Sequence, residues 1–319
     1  MKLLFKKLFY LIIMLFIISI ISFLAINLAP NSFFASGELN PNITKESIEH
    51  LKAIYGLDKP LYMQYISWLK AILHLNFGIS FSSGSLVKDE ILQRLPITLI
   101  LNISSMILIF VISLYLGIKA ALNKSKTSDK ITTQLSLLSF SMPSFYLALI
   151  LILIFAVNLK IFPIAGVHSV KDDGSLTYYL DFIWHLILPI FVIVFAGIGS
   201  LTLYVRSLVI EILKSDYIFY AKARGLSKKQ ILRYYILPNL YPPVITLLGL
   251  SLPGVIGGSV ILESIFSIDG MGLLFYKSAL AHDYPVIMGI LIITAFLTLL
   301  GNILADIILL KLNPNYNNA

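Results

Sequence analysis

The sequence predicts an all-α, polytopic membrane protein with six transmembrane helices and with both termini in the cytoplasm. Of its 319 residues, 58% are hydrophobic and only 13% are charged, whereas a soluble domain carries about 25% charged residues. Six apolar stretches reach the length of about 20 residues that a helix needs to cross a bilayer. These stretches are residues 8–28, 96–118, 131–158, 182–205, 244–264 and 286–310. Residues 1–319 are therefore predicted to form a single transmembrane domain.

The distribution of basic residues predicts which side the termini occupy. The segments assigned to the cytoplasm hold 15 of the 24 Lys and Arg residues. They are residues 1–7, 119–130, 206–241 and 311–319. Because cytoplasmic loops carry an excess of Lys and Arg, the termini are expected inside the cell. The net charge of +8 is then a consequence of topology and does not indicate nucleic-acid binding.

The first apolar stretch resembles a secretion signal because Lys2, Lys6 and Lys7 precede it. The apolar core of a signal peptide is about 7–15 residues long. The stretch 8–28 is longer and ends without a convincing small-residue cleavage site. We therefore expect it to be a retained first span.

Residues 29–95 are expected to form an extracytoplasmic loop with two amphipathic helices. Apolar residues recur at helical spacing in two runs, of which the first stops at Gly56 and the second begins after Pro60. Their apolar faces must be covered by neighbouring spans, by the membrane interface or by an outer partner, and packing on the chain's own spans is the favoured interpretation. The periodic residues are Ile48, Leu51 and Tyr55 in the first run and Leu61, Tyr65, Trp68 and Ile72 in the second.

A polar, basic segment, residues 216–239, interrupts the apolar spans and predicts a helical hairpin. Lys222 and Arg224 stand in the last turn before Gly225, where cations suit the carbonyl end of a helix and glycine accepts the left-handed capping conformation. The first helix is therefore expected to stop there. An ordinary basic cytoplasmic loop is the alternative at this position.

The second half of the hairpin has its own start and stop signals. Ser227 and Gln230 have the spacing of a capping box. Pro238 is expected to end the helix, because proline lacks the N–H that continues the helical ladder. The whole cytoplasmic loop is predicted to span residues 206–241.

No sequence motif indicates an enzyme. The chain lacks a phosphate-binding loop with its lysine, a zinc-protease motif and a nucleophile elbow. The glycines at 254–258 lie within a predicted span, where small residues permit close helix packing. There are no cysteines, and the five histidines are widely spaced, so neither a catalytic residue nor a metal site is predicted.

Two acids fall inside predicted spans, Glu263 toward the outer end of the fifth and Asp306 toward the inner end of the sixth. An acid in hydrocarbon is costly, so each is a candidate for the transport pathway, for an ion pair or for snorkelling to the interface. Glu263 is the stronger candidate for a pathway residue. Pro143, Pro189 and Pro253 are expected to introduce kinks or unwound turns.

Eight motifs spread along the chain resemble the permeases of binding-protein-dependent ABC importers in the dipeptide, oligopeptide and nickel group. They are GLDKPLYMQY at 56–65, FGISF at 77–81, RLPIT at 94–98, MPSF at 142–145, HLILP at 185–189, AKARGL at 221–226, GGSVILE at 257–263 and DYPVI at 283–287. Together they are specific, although each alone is weak.

The resemblance implies a function for the hairpin, which corresponds to the EAA loop through which these permeases contact their ATPase. The implied coupling residues are Tyr220, Ala221, Lys222, Ala223, Arg224, Gly225, Leu226, Ser227, Leu237 and Pro238. The acidic first position of the general EAA pattern is absent, since Phe219 stands there, and this departure resembles the peptide and nickel branch. Residues 30–33, PNSF, depart from the PGDP that relatives tend to have.

The resemblance also implies partners and a location. These are a second homologous permease, two cytoplasmic ATPases that use ATP and Mg²⁺, and an extracytoplasmic solute-binding protein, all at the cell (inner) membrane. Residues 65–81 and 141–143 are slightly more similar to nickel than to dipeptide permeases. The alternatives are a self-contained secondary transporter or channel, for which no inverted repeat is found, and an intramembrane hydrolase, for which no catalytic group is found.

Overall fold

The structure is a computed structural model that describes residues 2–27, 59–170, 173–257 and 259–312. Across these residues the chain is mostly helical, with one isolated antiparallel bridge between Ile79 and Leu86. The helices are α1 (Lys2–Asn27), α2 (Leu61–Leu73), α3 (Val87–Leu122), α4 (Thr127–Ser141), α5 (Ser144–Leu151), α6 (Leu176–Leu213), α7 (Asp216–Ala223), α8 (Lys228–Ile231), α9 (Leu237–Gly257), α10 (Val260–Ile265), α11 (Met271–Leu280) and α12 (Tyr284–Leu312), with π-helical turns at Ile152–Asn158 and Leu232–Ile236. The first predicted outer helix, 48–56, lies outside the described residues.

Three described helices are long and apolar enough to cross a membrane, namely α3, α6 and the part Tyr284–Ile303 of α12. The predicted third span, 131–158, is instead a pair of helices, α4 and α5 with its π turn, bent by 99°. By length and composition the described part of the chain therefore supplies three spans, or four if the bent pair is one span. In α1, Phe9–Leu24 forms a shorter apolar helix.

The bend between α4 and α5 has a local cause. Met142 ends α4 in an extended conformation, with φ −86° and ψ 121°, as a residue before proline commonly does. Pro143 then precedes the first turn of α5, where its missing N–H is not needed. By contrast, α6 continues through Pro189 and α9 through Pro253. The expected break is found at the first of these three prolines only.

The predicted fifth span, 244–264, also differs from the structure. Helix α9 begins at Leu237 and ends at Gly257, and the chain resumes as the separate short helix α10. Ser259 caps α10, because its hydroxyl accepts a hydrogen bond from the Leu262 N–H at 3.4 Å. Glu263 therefore lies on the short helix α10, which is separate from α9.

The chain divides into two compact units, of which the first comprises Met1–Thr98 and Asp269–Leu300. In this unit α2 packs on α1. The ring centroids of Tyr65 and Trp68 lie 5.3 and 5.8 Å from that of Phe23, and the Tyr65 hydroxyl is 2.8 Å from the Ser19 hydroxyl. The expected packing of the second amphipathic helix on the first apolar helix is therefore found for α2.

A second part of the first unit joins the start of α3 to α11 and α12. The buried residues at this junction are Val87, Ile91, Met271, Leu274, Val286 and Ile290. The Met271 N–H donates to the Thr98 hydroxyl at 2.8 Å. Gly289 permits the close approach, since a Cβ there would lie 2.8 Å from a Val87 methyl carbon.

The second unit comprises Leu99–Ile268 and Gly301–Ala319. Among its described helices, α4 and α6 make the most extensive contact. A Cβ at Gly199 would overlap the Ser136 carbonyl oxygen, and the Ser139 hydroxyl donates to the Phe195 carbonyl. Small residues therefore bring these two helices into direct backbone contact, a packing mode that is common between helices in bilayers.

Candidate functional site

The first helix of the hairpin, α7, ends in a Schellman motif. The Leu226 N–H donates to the Ala221 carbonyl at 3.2 Å, and the Gly225 N–H donates to the Lys222 carbonyl at 2.9 Å. Gly225 has φ +81°, a conformation that costs little for glycine and more for residues with a Cβ. The predicted stop at Gly225 is confirmed.

The second helix of the hairpin, α8, starts in a capping box. The Ser227 N–H donates to the Gln230 side-chain oxygen at 2.8 Å, and the Gln230 N–H donates to the Ser227 hydroxyl at 3.4 Å. This predicted start is confirmed as well. The two caps are separated by Leu226 alone, so the backbone between the helices has little freedom.

The predicted end of the second helix at Pro238 is wrong. The helix continues through the π turn Leu232–Ile236 directly into α9. In the π turn the Leu237 N–H donates five residues back, to the Leu232 carbonyl. The wider π turn ends just before Leu237 and Pro238. Because Pro238 lacks an N–H and lies in the first turn of α9, the helix accommodates it there. The second leg of the hairpin, residues 228–239, is therefore continuous with a long apolar helix.

One face of the hairpin is buried against helices of its own unit. Ile218 and Ala221 of α7 and Ile231 and Ile236 of the second leg are at most 5% exposed. They pack into one apolar cluster that fixes the hairpin to its neighbours. The other buried members of this cluster are Phe110 and Ala121 of α3, Leu201, Val205 and Val209 of α6, and Leu240 and Val244 of α9.

The opposite face of the hairpin presents aromatic rings and cations to the outside. Phe219 is 69% exposed and Tyr220 is 64% exposed, although their neighbour Ile218 is fully buried. The legs also contact each other, with the rings of Tyr217 and Tyr235 stacked at 6.3 Å. The exposed cations are Lys222, Arg224, Lys228, Lys229 and Arg233.

The residues predicted for coupling are divided between the two faces. The structure buries Ala221 and partly buries Leu226 and Leu237. The exposed members of the set are Tyr220, Lys222, Ala223, Arg224, Gly225, Ser227 and Pro238. The sequence predicted the helical hairpin but not which of its side chains face outward, and the coupling function of these residues stays a prediction.

An ion pair between Asp129 and Arg206 lies in the same unit and was not predicted. The Arg206 guanidinium donates to both carboxylate oxygens of Asp129, at 2.5 and 2.9 Å. The Ser125 N–H donates to the same carboxylate at 2.9 Å. The pair joins the first turn of α4 to the end of α6, next to the hairpin. The partners are 77 residues apart, and no local pattern connects them.

The two acids of the predicted spans have different surroundings. Glu263 is fully buried at 0% exposure on α10, which packs against α5. Asp306 is partly buried near the end of α12. The pathway function of Glu263 stays a prediction.

His185, the first residue of the motif HLILP, is buried and internally satisfied. Its Nδ1 lies 2.7 Å from the Asp181 carbonyl oxygen, and its Nε2 lies 3.1 Å from the Ser169 hydroxyl. The ring therefore ties the preceding loop to the start of α6. Among the described residues, no group of three or more His, Cys, Asp or Glu could hold a metal ion.

The comparisons with known proteins agree on one family. The family described as binding-protein-dependent transport system inner membrane component matches residues 113–318, and its N-terminal companion matches residues 1–102. The oligopeptide transport system permease protein AppB of Bacillus subtilis is 38% identical over 298 residues, which cover 93% of each chain. The dipeptide permease DppB of Lactococcus lactis is 35% identical over 98% of each chain.

Two further matches concern a metal-chelate system and a solved structure. The metal-staphylopine import system permease protein CntB of Staphylococcus aureus is 35% identical over 86% of this chain and 84% of its own. A chain of the inward-facing methionine ABC transporter MetNI superposes with a TM-score of 0.52 at 16% identity, covering 70% of this chain and 96% of that chain, and this likeness shows the fold alone. On the family matches and the curated relatives, this chain belongs to the binding-protein-dependent ABC importer permeases of the dipeptide, oligopeptide and nickel group, which are multi-pass proteins of the cell membrane.

Proposed function

We propose that this chain is one of two homologous permease subunits of an ATP-driven importer, and that the hairpin 216–239 couples it to a cytoplasmic ATPase. The observation that carries the proposal is the division of the hairpin into two faces. Ile218 and Ala221 fix one face to the chain's own helices, while Phe219 and Tyr220 stand exposed on the other. Exposed aromatic rings are enriched in protein interfaces, as are arginines such as Arg224 and Arg233 of the same hairpin.

The caps of the hairpin support the same proposal. Gly225 and Ser227 hold the two helices at a fixed angle, and the second leg continues into α9. A partner that pushes on the exposed face would therefore move the helices on both sides of the hairpin. A flexible basic loop, the alternative at this position, would not transmit such a displacement.

In the proposed complex, ATP binding and substrate delivery belong to other subunits. Two partner ATPases would bind ATP and Mg²⁺, since the sequence has no phosphate-binding loop. An extracytoplasmic solute-binding protein would deliver the substrate. The chain itself would form part of the substrate's path across the membrane and is not expected to catalyse a reaction.

The proposed topology has six crossings with both termini inside. The crossings would be α1, α3, α4 with α5, α6, α9 with α10, and α12. The distribution of basic residues supports this orientation. Cytoplasmic loops carry an excess of Lys and Arg, and the hairpin contains five such residues.

Peptides are the proposed substrates. The relatives AppB and DppB are named for oligopeptide and dipeptide transport, and they match nearly the whole chain. A nickel ion or a nickel chelate is the second candidate. CntB is named for metal-staphylopine import. The sequence interpretation also favours nickel permeases slightly, on residues 65–81 and 141–143.

Reconstitution of the complete complex tests the proposal. The chain is purified with its partner permease and ATPases, placed in liposomes, and supplied with the binding protein loaded with dialanine, pentaalanine, Ni²⁺ alone or Ni²⁺ with histidine. We expect ATP-dependent uptake of at least one peptide and stimulation of ATP hydrolysis by the loaded binding protein. Uptake by this chain alone, driven by an ion gradient without ATPases, would instead identify a secondary transporter.

A further inference from the structure

We propose that the ion pair between Asp129 and Arg206 makes α4 move together with α6 when the ATPase displaces the hairpin. The two residues would be positioning residues for coupling, because their side chains bond to each other and would act on transport only through α4 and α6. The inference rests on the coupling function proposed for the hairpin. It concerns residues outside the coupling loop that the sequence indicated.

The pair has the geometry of a rigid connection. Both N–H···O bonds run from the planar guanidinium to the two oxygens of one carboxylate, at 2.5 and 2.9 Å. Such a bidentate pair constrains direction as well as distance. Asp129 is only 4% exposed and also accepts from the Ser125 N–H. Its carboxylate is thereby held from three directions.

The location of the pair relates it to the hairpin. Arg206 lies on α6, which leads through a two-residue connection into α7, the first helix of the hairpin. Val205 and Val209, on either side of Arg206 in the sequence, pack in the same cluster as Ile218 of α7. A displacement of the hairpin therefore reaches the backbone of α6 beside Arg206, and the ion pair passes it to α4.

The contact between α4 and α6 then continues away from the hairpin. The Ser139 hydroxyl donates to the Phe195 carbonyl, and Gly199 lies against the Ser136 backbone. Because the backbones are in direct contact and a hydrogen bond joins them, the two helices are expected to move as one body. The far end of α4 is the 99° bend at Met142–Pro143, where the helical ladder is interrupted. The coupled motion is therefore delivered to the bend and to α5.

Removal of one partner isolates the contribution of the ion pair. In Asp129→Asn the guanidinium loses its counter-ion, and in Arg206→Gln a buried carboxylate is left without its cation, which is costly. We expect the number of peptide molecules transported per ATP hydrolysed to fall about fivefold or more in each variant, while ATP hydrolysis itself persists. The exchange Asp129→Arg with Arg206→Asp should recover at least part of the ratio. Glu211→Gln, at an exposed acid near the same end of α6, is the matched control and should behave as wild type.

The experiment uses the complete complex in liposomes, with the peptide that stimulates the wild-type complex. A wild-type complex without ATP-dependent uptake would refute the proposed function itself. With an active wild type, normal transport per ATP in both single variants would overturn only this inference. If the single variants do not accumulate, Arg206→Lys, which keeps the charge but loses the planar fork, decides by the same ratio. Loss of protein in all variants would assign the pair to folding alone and would also overturn the inference.

Discussion

The carboxylate of Asp283 accepts a hydrogen bond from the Ser80 hydroxyl at 2.5 Å, although 203 residues separate the two in the sequence. The same carboxylate accepts from the Phe81 and Ser82 N–H groups, both at 3.1 Å. Asp283 is 1% exposed and immediately precedes α12. Two of the motifs on which the family resemblance rests, FGISF and DYPVI, are thus joined by one buried carboxylate.

We expect Asp283→Asn to destabilise the permease substantially. The amide keeps one acceptor but turns an NH₂ donor toward backbone N–H donors, and a hydrogen bond to a charged group contributes about 1.5–3 kcal/mol. The thermal unfolding midpoint of the purified complex should fall by several degrees. Asp269→Asn is the matched control, because Asp269 is 57% exposed and pairs with Arg94 at the surface. Exposed ion pairs contribute about 0–1 kcal/mol, so an equal loss in both variants would contradict the prediction.

Gly225→Pro should uncouple ATP hydrolysis from transport without preventing insertion. Proline cannot adopt φ +81° and lacks the N–H that donates to the Lys222 carbonyl. Gly225→Asn is the matched control, because asparagine accepts the left-handed conformation and keeps the N–H. Uptake and ATP hydrolysis in liposomes are compared at equal protein amounts. Normal coupling in a well-inserted Gly225→Pro variant would show that the hairpin geometry is not needed.

The two faces of α7 should respond oppositely to truncation. Phe219→Ala removes an exposed ring and should weaken ATPase binding about tenfold or more, as interface aromatic residues commonly do. Its unfolding midpoint should hardly change. Ile218→Ala empties a buried position in the cluster with Val205 and should cost about 2–4 kcal/mol of stability. Co-purification with the ATPase and thermal unfolding are measured for both, and the reverse pattern would contradict the assignment of the faces.

Thiol labelling should locate the two sides of the membrane directly, because the chain contains no cysteine. A cysteine at Lys70, exposed on α2, should react with an impermeant reagent added to intact cells. A cysteine at Lys124, exposed between α3 and α4, should react only after permeabilisation. The opposite pattern would reverse the proposed topology.

Local chemistry explains which features the sequence could predict. The stop at Gly225 and the capping box at Ser227 depend on residues within a single turn, and both were confirmed. The effect of proline was not local. The chain breaks at Pro143, whereas at Pro238 a preceding π turn allows the helix to continue. In the sequence, Pro143 and Pro238 give the same helix-breaking signal, so the sequence does not distinguish them.

Long-range pairs could not be predicted, because helix packing brings their members together. Ser80 with Asp283 and Asp129 with Arg206 are separated by 203 and 77 residues. The exposed and buried sides of α7 also depend on which helices lie beneath it. The sequence pattern predicts the hairpin but not the helices against which the hairpin packs.

An experiment on Glu263 separates a role in the transport route from a structural role. The Glu263 carboxyl is fully buried on α10 against α5, and the sequence makes it a candidate for the transport route with a structural role as the alternative. If the side chain meets the substrate during the transport cycle, Glu263→Gln removes a charge while keeping size and hydrogen bonding. We then expect uptake of trilysine to fall about fivefold relative to trialanine, which corresponds to about 1 kcal/mol of lost attraction. Asp306→Asn, at the other acid of the predicted spans, is the matched comparison and should affect both peptides alike. Equal, near-wild-type rates for both peptides in Glu263→Gln would make Glu263 a structural residue, since burial alone gives no reason to distinguish a cationic from a neutral substrate.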